Sequence, residues 1–241
     1  MTSTVEALWL FDLDGTVLTV NSFPLWTRDM LLGRLPQAGL GRRLSVSAHC
    51  ASALVRRKLL RGSHGRLQRT LQRLWNQNLP DHAEACAGPL VERLVQHVRP
   101  GLAAVLADVA SGRADAILTT AAAAEYAVPL ARQLGFRHVI ATPRGGGFDS
   151  IENRGETKRA RTLAYIETLG WSQRARILFA DTADDLPLAR ECASLVWMGA
   201  TDAACLPAVP AAHHVLLAAG LHSAAAHDWV LNHSHGVQAC T

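Results

Sequence analysis

The chain has 241 residues, of which 49% are hydrophobic and 18% charged, and it carries a formal net charge of +4 at pH 7. This composition predicts a sizeable buried core and excludes an intrinsically disordered chain. No uninterrupted apolar run reaches the length of a transmembrane helix, so no membrane association is expected. The first residues carry no positive charge and lead directly into a strand-like segment, which predicts that the chain has no signal peptide.

The cysteines and the C-terminal histidines fit no metal-ligand spacing. The five cysteines are odd in number and scattered, which predicts reduced thiols in a cytoplasmic protein and argues against a disulfide framework. They are Cys50, Cys86, Cys192, Cys205 and Cys240. Six histidines near the C-terminus are expected to be solvated or to lie in a tail. They are His213, His214, His222, His227, His233 and His235.

The positive charge is concentrated in one segment. Residues 17–100 contain 13 lysines and arginines against four acids, a net charge of +9, whereas the rest of the chain carries −5. Arginine supplies nearly all of this charge, because the whole chain contains only two lysines, Lys58 and Lys158. The basic segment has few aromatic residues among its charges and no recognisable nucleic-acid motif, so nucleic-acid binding is not expected.

The first predicted element is a strand at residues 7–13, a short apolar run that ends in a glycine-bearing turn. Such a run is typical of a buried parallel strand. From about residue 22 to residue 98 the apolar residues recur with a helical period. In residues 63–79, leucines and a tryptophan fall on one face of a helix and arginines on the opposite face.

After residue 100, predicted helices and strands alternate. We predict helices at 102–110, 125–134, 157–169 and 184–192, and strands at 114–119, 138–142, 176–180 and 194–198. This alternation predicts a Rossmann-like α/β core, in which helices cover both faces of a parallel sheet. A glycine run at 145–147 is expected to form a hairpin turn, and the Ala- and His-rich tail after Gly199 receives no assignment.

The helical block that follows the first strand is too long to be a single crossover connection, since one helix suffices to join two parallel strands. We therefore predict an inserted, all-helical cap at residues 21–99. Residues 1–20 and 100–241 then form a discontinuous catalytic core.

The strongest chemical signal is the sequence Asp12-Leu13-Asp14-Gly15-Thr16, at the end of the first predicted strand. Two carboxylates two residues apart at a strand end point the same way, toward the crevice where open α/β sheets bind ligands. Carboxylates this close repel each other unless a cation or a proton holds them together. Oxygen ligands beside a phosphate favour magnesium, so the pattern predicts a Mg²⁺ site.

This motif resembles the first motif of the haloacid dehalogenase superfamily, and three further motifs follow in the superfamily's order. The resemblance covers residues 7–20 and 100–198. It implies that Asp12 is the nucleophile. It also implies that Asp14 is the general acid and base, which protonates the leaving alkoxide and then deprotonates the attacking water.

The other three motifs imply further site residues. Where the second motif ends in Thr119 and Thr120, the superfamily's spacing favours Thr120 as the hydroxyl that holds the phosphoryl group, and Thr119 stays open. Lys158 matches the lysine that compensates phosphate charge. Asp181 and Asp185 match acids on or beside the metal. The implied Mg²⁺ ligands are therefore Asp12, Asp14, Asp181 and Asp185.

The position of the predicted cap is similar to that of the helical lid in the superfamily's phosphoserine-phosphatase-like branch. The resemblance implies a magnesium-dependent hydrolase of a small phosphorylated metabolite, with a phospho-aspartyl intermediate. Thr16 and Arg28 are candidate substrate-binding residues, and Asn21, Ser22 and Trp26 are further possible contacts. No Glu lies in that segment to pair with a substrate amine, which disfavours phosphoserine itself. A second acidic group of the substrate could meet the cap arginines, although most of these are expected on a solvated face.

Other functions are compatible with parts of this pattern. The superfamily's dehalogenases lack the second acid, so Asp14 favours phosphate chemistry. A phosphonate hydrolase would need a cap lysine as a Schiff base, and Lys58 lies in a basic run typical of a solvated face. A phosphomutase shares the motifs and stays open. A non-catalytic binding module with a basic cap is disfavoured by the intact acids and lysine.

Overall fold

The computed structural model of the chain describes residues 7–36, 38–79, 83–144, 151–199, 214–217 and 223–235. Its strands are β1 (Leu8–Phe11), β2 (Ala116–Ala123), β3 (His138–Thr142), β4 (Arg176–Ala180), β5 (Ser194–Trp197) and β6 (His214–Leu217). They form one parallel sheet in the order β3-β2-β1-β4-β5-β6.

Strand β1 lies in the interior of this sheet and is buried along its whole length. Four consecutive apolar residues suit a parallel strand that is covered on both faces. Its last residue, Phe11, pairs in register with Leu118 of β2 and Phe179 of β4, and the rings of Phe11 and Phe179 stack with 4.2 Å between centroids. The chain therefore leaves β1 at the carboxyl edge of the sheet, between two neighbouring strand ends, where α/β sheets bind ligands.

The helices separate into a block between β1 and β2 and a set that connects the later strands. The block contains α1 (Ser22–Leu31), α2 (Leu40–Leu60), α3 (His64–Asn78) and α4 (Ala83–Val95). The later set contains α5 (Ala103–Ser111), α6 (Ala124–Gln133), α7 (Gly155–Thr168), α8 (Leu186–Ala189) and α9 (Ser223–His235). Single 3₁₀ turns cover Pro100–Leu102 and Ala183–Asp185. Among the described helices, none is both long enough and apolar enough to cross a membrane.

The inserted helical block and the sheet share one apolar core. The ring centroid of Trp26 on α1 lies 5.7 Å from that of Trp75 on α3 and 5.3 Å from that of Tyr126 on α6. All three side chains are fully buried and belong to the same cluster as Phe11. The fold class, a parallel α/β sheet with an inserted helical segment, is confirmed, and the division into core and cap at residues 21–99 stays a prediction.

Most predicted elements of the core lie where the sequence placed them, and two differ. The strand predicted at 114–119 continues to Ala123, because pairing with Thr142 of β3 outweighs the weak strand preference of alanine. The helix predicted at 184–192 is a 3₁₀ turn and the four-residue α8, since the chain returns to the sheet at Ser194. Strand β6 and helix α9 lie in the unassigned tail. The glycine run at 145–147 lies outside the described residues.

The C-terminal helix α9 is anchored on the core by a histidine. Nε2 of His227 lies 2.6 Å from Oδ2 of Asp108 on α5, and the ring of His233 stacks on Trp229 with 4.0 Å between centroids. His227 is therefore half-buried within the C-terminal tail, because α9 packs against α5. His213 and His222 lie outside the described residues.

Candidate active site

The loop after β1 is held in a tight, fixed shape. Gly15 has a φ of +78°, and a Cβ at this position would lie 1.9 Å from Oδ2 of Asp181, so only glycine fits here. Arg99, which follows the helical block, donates from Nε to the carbonyl oxygen of Thr16 at 2.9 Å, and its guanidinium also binds the carbonyl oxygen of Gly15. The loop is thus clamped from both sides. Sequence reasoning missed Arg99.

A buried lysine binds Asp12 at the end of β1 and Asp185 in the 3₁₀ turn after β4. Lys158 on α7 is 3% exposed, and its Nζ donates to Oδ1 of Asp12 at 2.6 Å and to Oδ1 of Asp185 at 2.5 Å. Burial alone lowers the pKa of Lys158, but the two carboxylates outweigh that effect and hold its pKa above the usual value. The lysine is therefore charged, and the structure brings together the residues of the first, third and fourth motifs.

Three carboxylates at this point could share one cation. Carboxylate oxygens of Asp12, Asp181 and Asp185 lie within 4.8 Å of one another. All the ligand atoms are oxygens, as Mg²⁺ prefers. These residues fit a divalent cation, because with Asp14 the site holds four carboxylates and one ammonium, which leaves three negative charges uncompensated when all are ionised.

Asp14 stands apart from this group, and its place among the metal ligands stays a prediction. Its Oδ1 accepts a hydrogen bond from the backbone N–H of Ser22 at 2.9 Å, at the start of α1. The carboxylate is turned toward the helical block because Ser22 offers it a donor there. Within the described part of the chain, the group of acids that could hold a metal comprises Asp12, Asp181 and Asp185 without Asp14.

Burial perturbs all four acids in the same direction. It raises the pKa of Asp12 to about 6, against the lowering effect of Lys158, and it raises the pKa of Asp14 to about 6, against hydrogen bonds from Ser22. The pKa values of Asp181 and Asp185 are also raised to about 6, again chiefly by burial. Asp12 and Asp14 therefore differ in their partners, a lysine and an N–H group, and not in pKa.

The two threonines of the second motif are buried and hydrogen-bonded within the protein. Oγ1 of Thr119 lies 2.8 Å from Oγ1 of Thr162 on α7, and Oγ1 of Thr120 accepts from the backbone N–H of Ala122 at 3.1 Å. Thr120 directly precedes Ala121 and Ala122, which line the cavity over the acids. Thr119 also accepts from Nδ2 of Asn153, a lining residue, at 3.3 Å, so both threonines are bonded to the cavity wall and the choice of Thr120 stays a prediction.

The two predicted substrate-binding residues lie outside the cavity lining. Thr16 is fully buried, and its Oγ1 donates to Oδ1 of Asp181 at 3.2 Å, so it orients that acid and does not face a substrate. Arg28 is exposed on α1, whose cavity side carries Asn21 and Phe23. Turn and helix geometry direct these side chains elsewhere, and a role of Thr16 and Arg28 in substrate binding stays a prediction. Of the further contacts considered, Asn21 lines the cavity, whereas Trp26 is buried in the core.

The cavity above the acids has a volume of about 390 Å³ and is closed by residues that sequence reasoning missed. His64 and Gln68 line it from α3, and Glu152 and Asn153 line it from the segment before α7. Asn153 is fully buried and its Nδ2 donates to the carbonyl oxygen of Thr120 at 3.1 Å. For the residues on α3, the signal in the sequence was the regular spacing of amide side chains along that helix. Attention to the apolar face of the same helix left this signal unused.

Helix α3 is fastened to the core by those amides. Nε2 of Gln68 donates to the carbonyl oxygen of Ala121 at 2.9 Å. Nε2 of Gln72 and Nδ2 of Asn76 donate to the two carboxylate oxygens of the fully buried Glu125 at 2.8 and 2.7 Å. A buried carboxylate needs such partners, so this face of α3 is fixed over the sheet edge.

A second cavity, of about 440 Å³, lies between α2 and α3 on the other side of α3. Four arginines line it, Arg56, Arg57, Arg66 and Arg73, and no acid does. Neither these arginines nor the exposed Lys58 line the catalytic cavity, which removes the placement that a Schiff-base role for Lys58 would need.

The chain was compared with protein families and with known proteins. The model of the haloacid dehalogenase-like hydrolase family matches residues 9–190. No curated protein matches the chain. A protein of unknown function from Bordetella pertussis Tohama I shares 20% identity over 80% of this chain and 90% of its own, with a TM-score of 0.63.

Two structures with phosphatase descriptions also share the fold. A predicted phosphatase from Clostridium acetobutylicum is 12% identical over 95% of this chain and 99% of its own, with a TM-score of 0.53. A probable phosphoserine phosphatase from Vibrio cholerae is 14% identical over 81% of this chain and 58% of its own, with a TM-score of 0.50. At these identities the likeness concerns the fold alone.

Proposed function

Because the chain belongs to the family of haloacid dehalogenase-like hydrolases, we propose that it is a magnesium-dependent phosphatase that acts on a small phosphomonoester. The observation that supports this most is the buried contact of Lys158 with Asp12 and Asp185 at the carboxyl edge of the sheet. Perturbed acids around a charged lysine, in a cleft where α/β sheets bind ligands, are typical of a reaction centre.

In the first half of the proposed reaction, a carboxylate oxygen of Asp12 attacks phosphorus and the bond from phosphorus to the alcohol oxygen breaks. Lys158 compensates charge on the transferring phosphoryl oxygens. Protonated Asp14 gives its proton to the departing alkoxide. Burial raises the pKa of Asp14 to about 6, so a fraction of this acid holds its proton near neutral pH.

In the second half, Asp14 as a carboxylate takes a proton from water while the water oxygen attacks phosphorus. The bond between phosphorus and Asp12 breaks, which restores the Asp12 carboxylate and releases inorganic phosphate. The N–H of Ser22 holds Asp14 beside the nucleophile and away from the three clustered acids. This separation suits a proton carrier, because an acid bound to a metal would not keep its proton.

Mg²⁺ would be held by Asp12, Asp181 and Asp185, and the hydroxyl of Thr16 would keep Asp181 oriented. When bound, the cation supplies charge compensation for the phosphate and for the nucleophile. Thr120 on β2 is the remaining residue of the proposed catalytic group.

The volume of the cavity bears on the size of the substrate, and the state of the thiols bears on the cellular location. A volume of about 390 Å³ suits a small phosphorylated metabolite. The thiols of Cys50, Cys86 and Cys192 are buried and form no disulfide, which supports a cytoplasmic location. The fold shared with a probable phosphoserine phosphatase supports the reaction class by analogy alone.

The test is hydrolysis of p-nitrophenyl phosphate by the purified protein. We expect inorganic phosphate to be released with Mg²⁺, no activity in excess EDTA, and no turnover by Asp12→Asn at an unchanged melting temperature with Mg²⁺ present. Full activity in EDTA, or normal turnover by Asp12→Asn, would contradict the proposal. Transfer of the phosphoryl group to a second alcohol, without release of phosphate, would indicate a phosphomutase.

A further inference from the structure

The wall of the catalytic cavity carries a carboxylate that the proposed reaction does not use. We propose that Glu152 receives a positively charged amine on the alcohol portion of the substrate, which makes the substrate a phosphomonoester of a small amino alcohol. This inference rests on the proposed phosphatase function.

Glu152 lies half-buried in the cavity wall, and its ion-pair partner among the described residues is a histidine. Its side chain is 20% exposed, and a carboxylate withdrawn from water needs a cation or strong donors. Its ion-pair partner is Nδ1 of His64 on α3, 3.5 Å from Oε1, and this imidazole is charged only when protonated. Nδ1 of His64 is itself a buried atom without a hydrogen-bond partner. The pair is therefore loose enough for a stronger cation to replace the imidazole.

Among the described residues, the permanent charge of Arg154 also attracts Glu152 but forms no ion pair with it. Arg154, two residues on, is charge-paired with Asp184 through its guanidinium, and its N–H donates to the backbone oxygen of Glu152 at 2.9 Å. Lys158 likewise forms ion pairs with Asp12 and Asp185. An ammonium group on the substrate would give Glu152 an ion-pair partner that carries a permanent positive charge.

The charged residues that line the cavity also disfavour a substrate whose alcohol portion carries an acidic group. Among the described residues that line the cavity, the cations are Lys158, Arg154 and, when protonated, His64, and each one has a carboxylate partner. The cap arginines, which the sequence offered for a second acidic group, line the separate groove between α2 and α3. A carboxylate or second phosphate on the substrate would meet Glu152 without a free cation nearby, and like charges repel.

The surroundings of Glu152 fit a short aminoalkyl group. A Cβ at Gly65 would lie 3.0 Å from Oε2 of Glu152, so the absence of a side chain there lets α3 approach the carboxylate closely. The ring of Phe23 lies 4.4 Å from the ring of His64, which gives the same wall an aromatic face. Methylene groups can pack on such a face, and it also attracts a cation.

The experiment compares three esters that differ in one group: 2-aminoethyl phosphate, 2-hydroxyethyl phosphate and carboxymethyl phosphate. We expect kcat/KM to fall in that order, with the amine at least about tenfold above the alcohol, the size of a charge-assisted hydrogen bond. Glu152→Gln keeps the shape and removes the charge, and it should bring the ratio of amine to alcohol close to one. Glu167→Gln, on the exposed face of α7, is the matched control and should retain the ratio.

Preference of the unaltered protein for the alcohol or the carboxylate would overturn the inference, as would an undiminished amine preference in Glu152→Gln. Failure of the proposed function is distinguishable, because no ester, p-nitrophenyl phosphate included, would then be hydrolysed. Binding of 2-aminoethylphosphonate, which needs no turnover, still decides the inference in that case. Its Kd should rise about tenfold in Glu152→Gln and stay unchanged in Glu167→Gln, and equal Kd values in all three proteins would overturn it.

Discussion

Helix α3 separates two cavities of similar size and opposite charge. The catalytic cavity, of about 390 Å³, is lined by six acids, whereas the groove on the other side, of about 440 Å³, is lined by four arginines and no acid. The acids are Asp12, Asp14, Glu152, Asp181, Asp184 and Asp185. The face of α3 toward the first cavity carries His64 and Gln68, and the face toward the second carries Arg66 and Arg73.

The difference shows that the net charge of a segment does not tell where that charge acts. Residues 17–100 carry +9, yet within the described structure none of the arginines of that segment lines the catalytic cavity. The one that reaches the motif loop, Arg99, binds carbonyl oxygens and not a substrate. Among the described residues, the permanent cations that line the catalytic cavity are Lys158 and Arg154, both outside the basic segment, and this division can be tested by removing charge on each side.

The largest effect is expected for Lys158→Met. Loss of the ammonium should lower kcat by on the order of a hundredfold or more, because a preorganised charge at the transferring group is removed. It also leaves Asp12 and Asp185 buried without their cation, so the melting temperature at pH 8 in EDTA should fall. Arg159→Met, at the next position of α7, removes a surface charge and is the control. Equal losses in the two variants would contradict a special role for position 158.

The second effect concerns metal affinity. In Asp181→Asn, the Mg²⁺ concentration for half-maximal activity should rise at least about tenfold, because one of three clustered carboxylates loses its charge. Thr16→Val should produce a smaller rise, since it removes only the hydroxyl that orients Asp181. Titration of EDTA-treated enzyme with Mg²⁺ measures both. An unchanged requirement in Asp181→Asn would exclude this acid from the metal site.

The third effect is a dependence of stability on pH without metal. Because the folded-state pKa values of Asp12, Asp14, Asp181 and Asp185 are raised to about 6, their stabilising contribution is complete when they are protonated and is lost as pH rises through 6. In EDTA, the melting temperature should therefore be lower at pH 8 than at pH 5, by roughly 3–6 °C for about 1–2 kcal/mol.

Calorimetric scans at the two pH values measure this difference, and Mg²⁺ should reduce it by stabilising the ionised acids. The single variant Asp181→Asn should show a weaker dependence on pH than the unaltered protein. A melting temperature in EDTA that is the same or higher at pH 8 would contradict the raised pKa values.

The smallest effect is expected on the basic side. Arg66→Gln and Arg73→Gln, alone or together, should change kcat/KM for p-nitrophenyl phosphate by less than about twofold, because these side chains face the groove between α2 and α3 and exposed charges are screened. A tenfold loss at unchanged melting temperature would show that the basic groove contributes to the catalytic cavity, and the comparison of the two cavities would fail.

The sequence predicted the elements whose signal is local and repetitive. The apolar run of β1, the strands His138–Thr142 and Arg176–Ala180 and the order of the four motifs can all be recognised without knowledge of the contacts. The meeting of Asp12 with Lys158 was implied by the resemblance, and the structure supplies the contact.

What the sequence could not predict depends on contacts between distant segments. Thr16 and Arg28 have side chains that can bind a phosphate ester, and both lie near the first motif in the sequence. In the structure, Thr16 is turned toward Asp181 and Arg28 toward the surface. Glu152 has no motif, and its place in the cavity wall follows from contacts of the segment before α7 with β2 and with α3. Strand β6 was missed because its pairing with β5 is set by the sheet and not by its own alanine-rich surroundings.

The central claim, that Asp12 is the nucleophile, is tested most directly by trapping the covalent intermediate. A turnover mixture with Mg²⁺ and p-nitrophenyl phosphate is quenched in acid and treated with borohydride, which reduces an acyl-phosphate, and the digest is examined by mass spectrometry. We predict reduction at position 12 and at no other acid, and none in Asp12→Asn. Reduction at Asp14 or elsewhere during active turnover would contradict the assignment of Asp12 as the nucleophile.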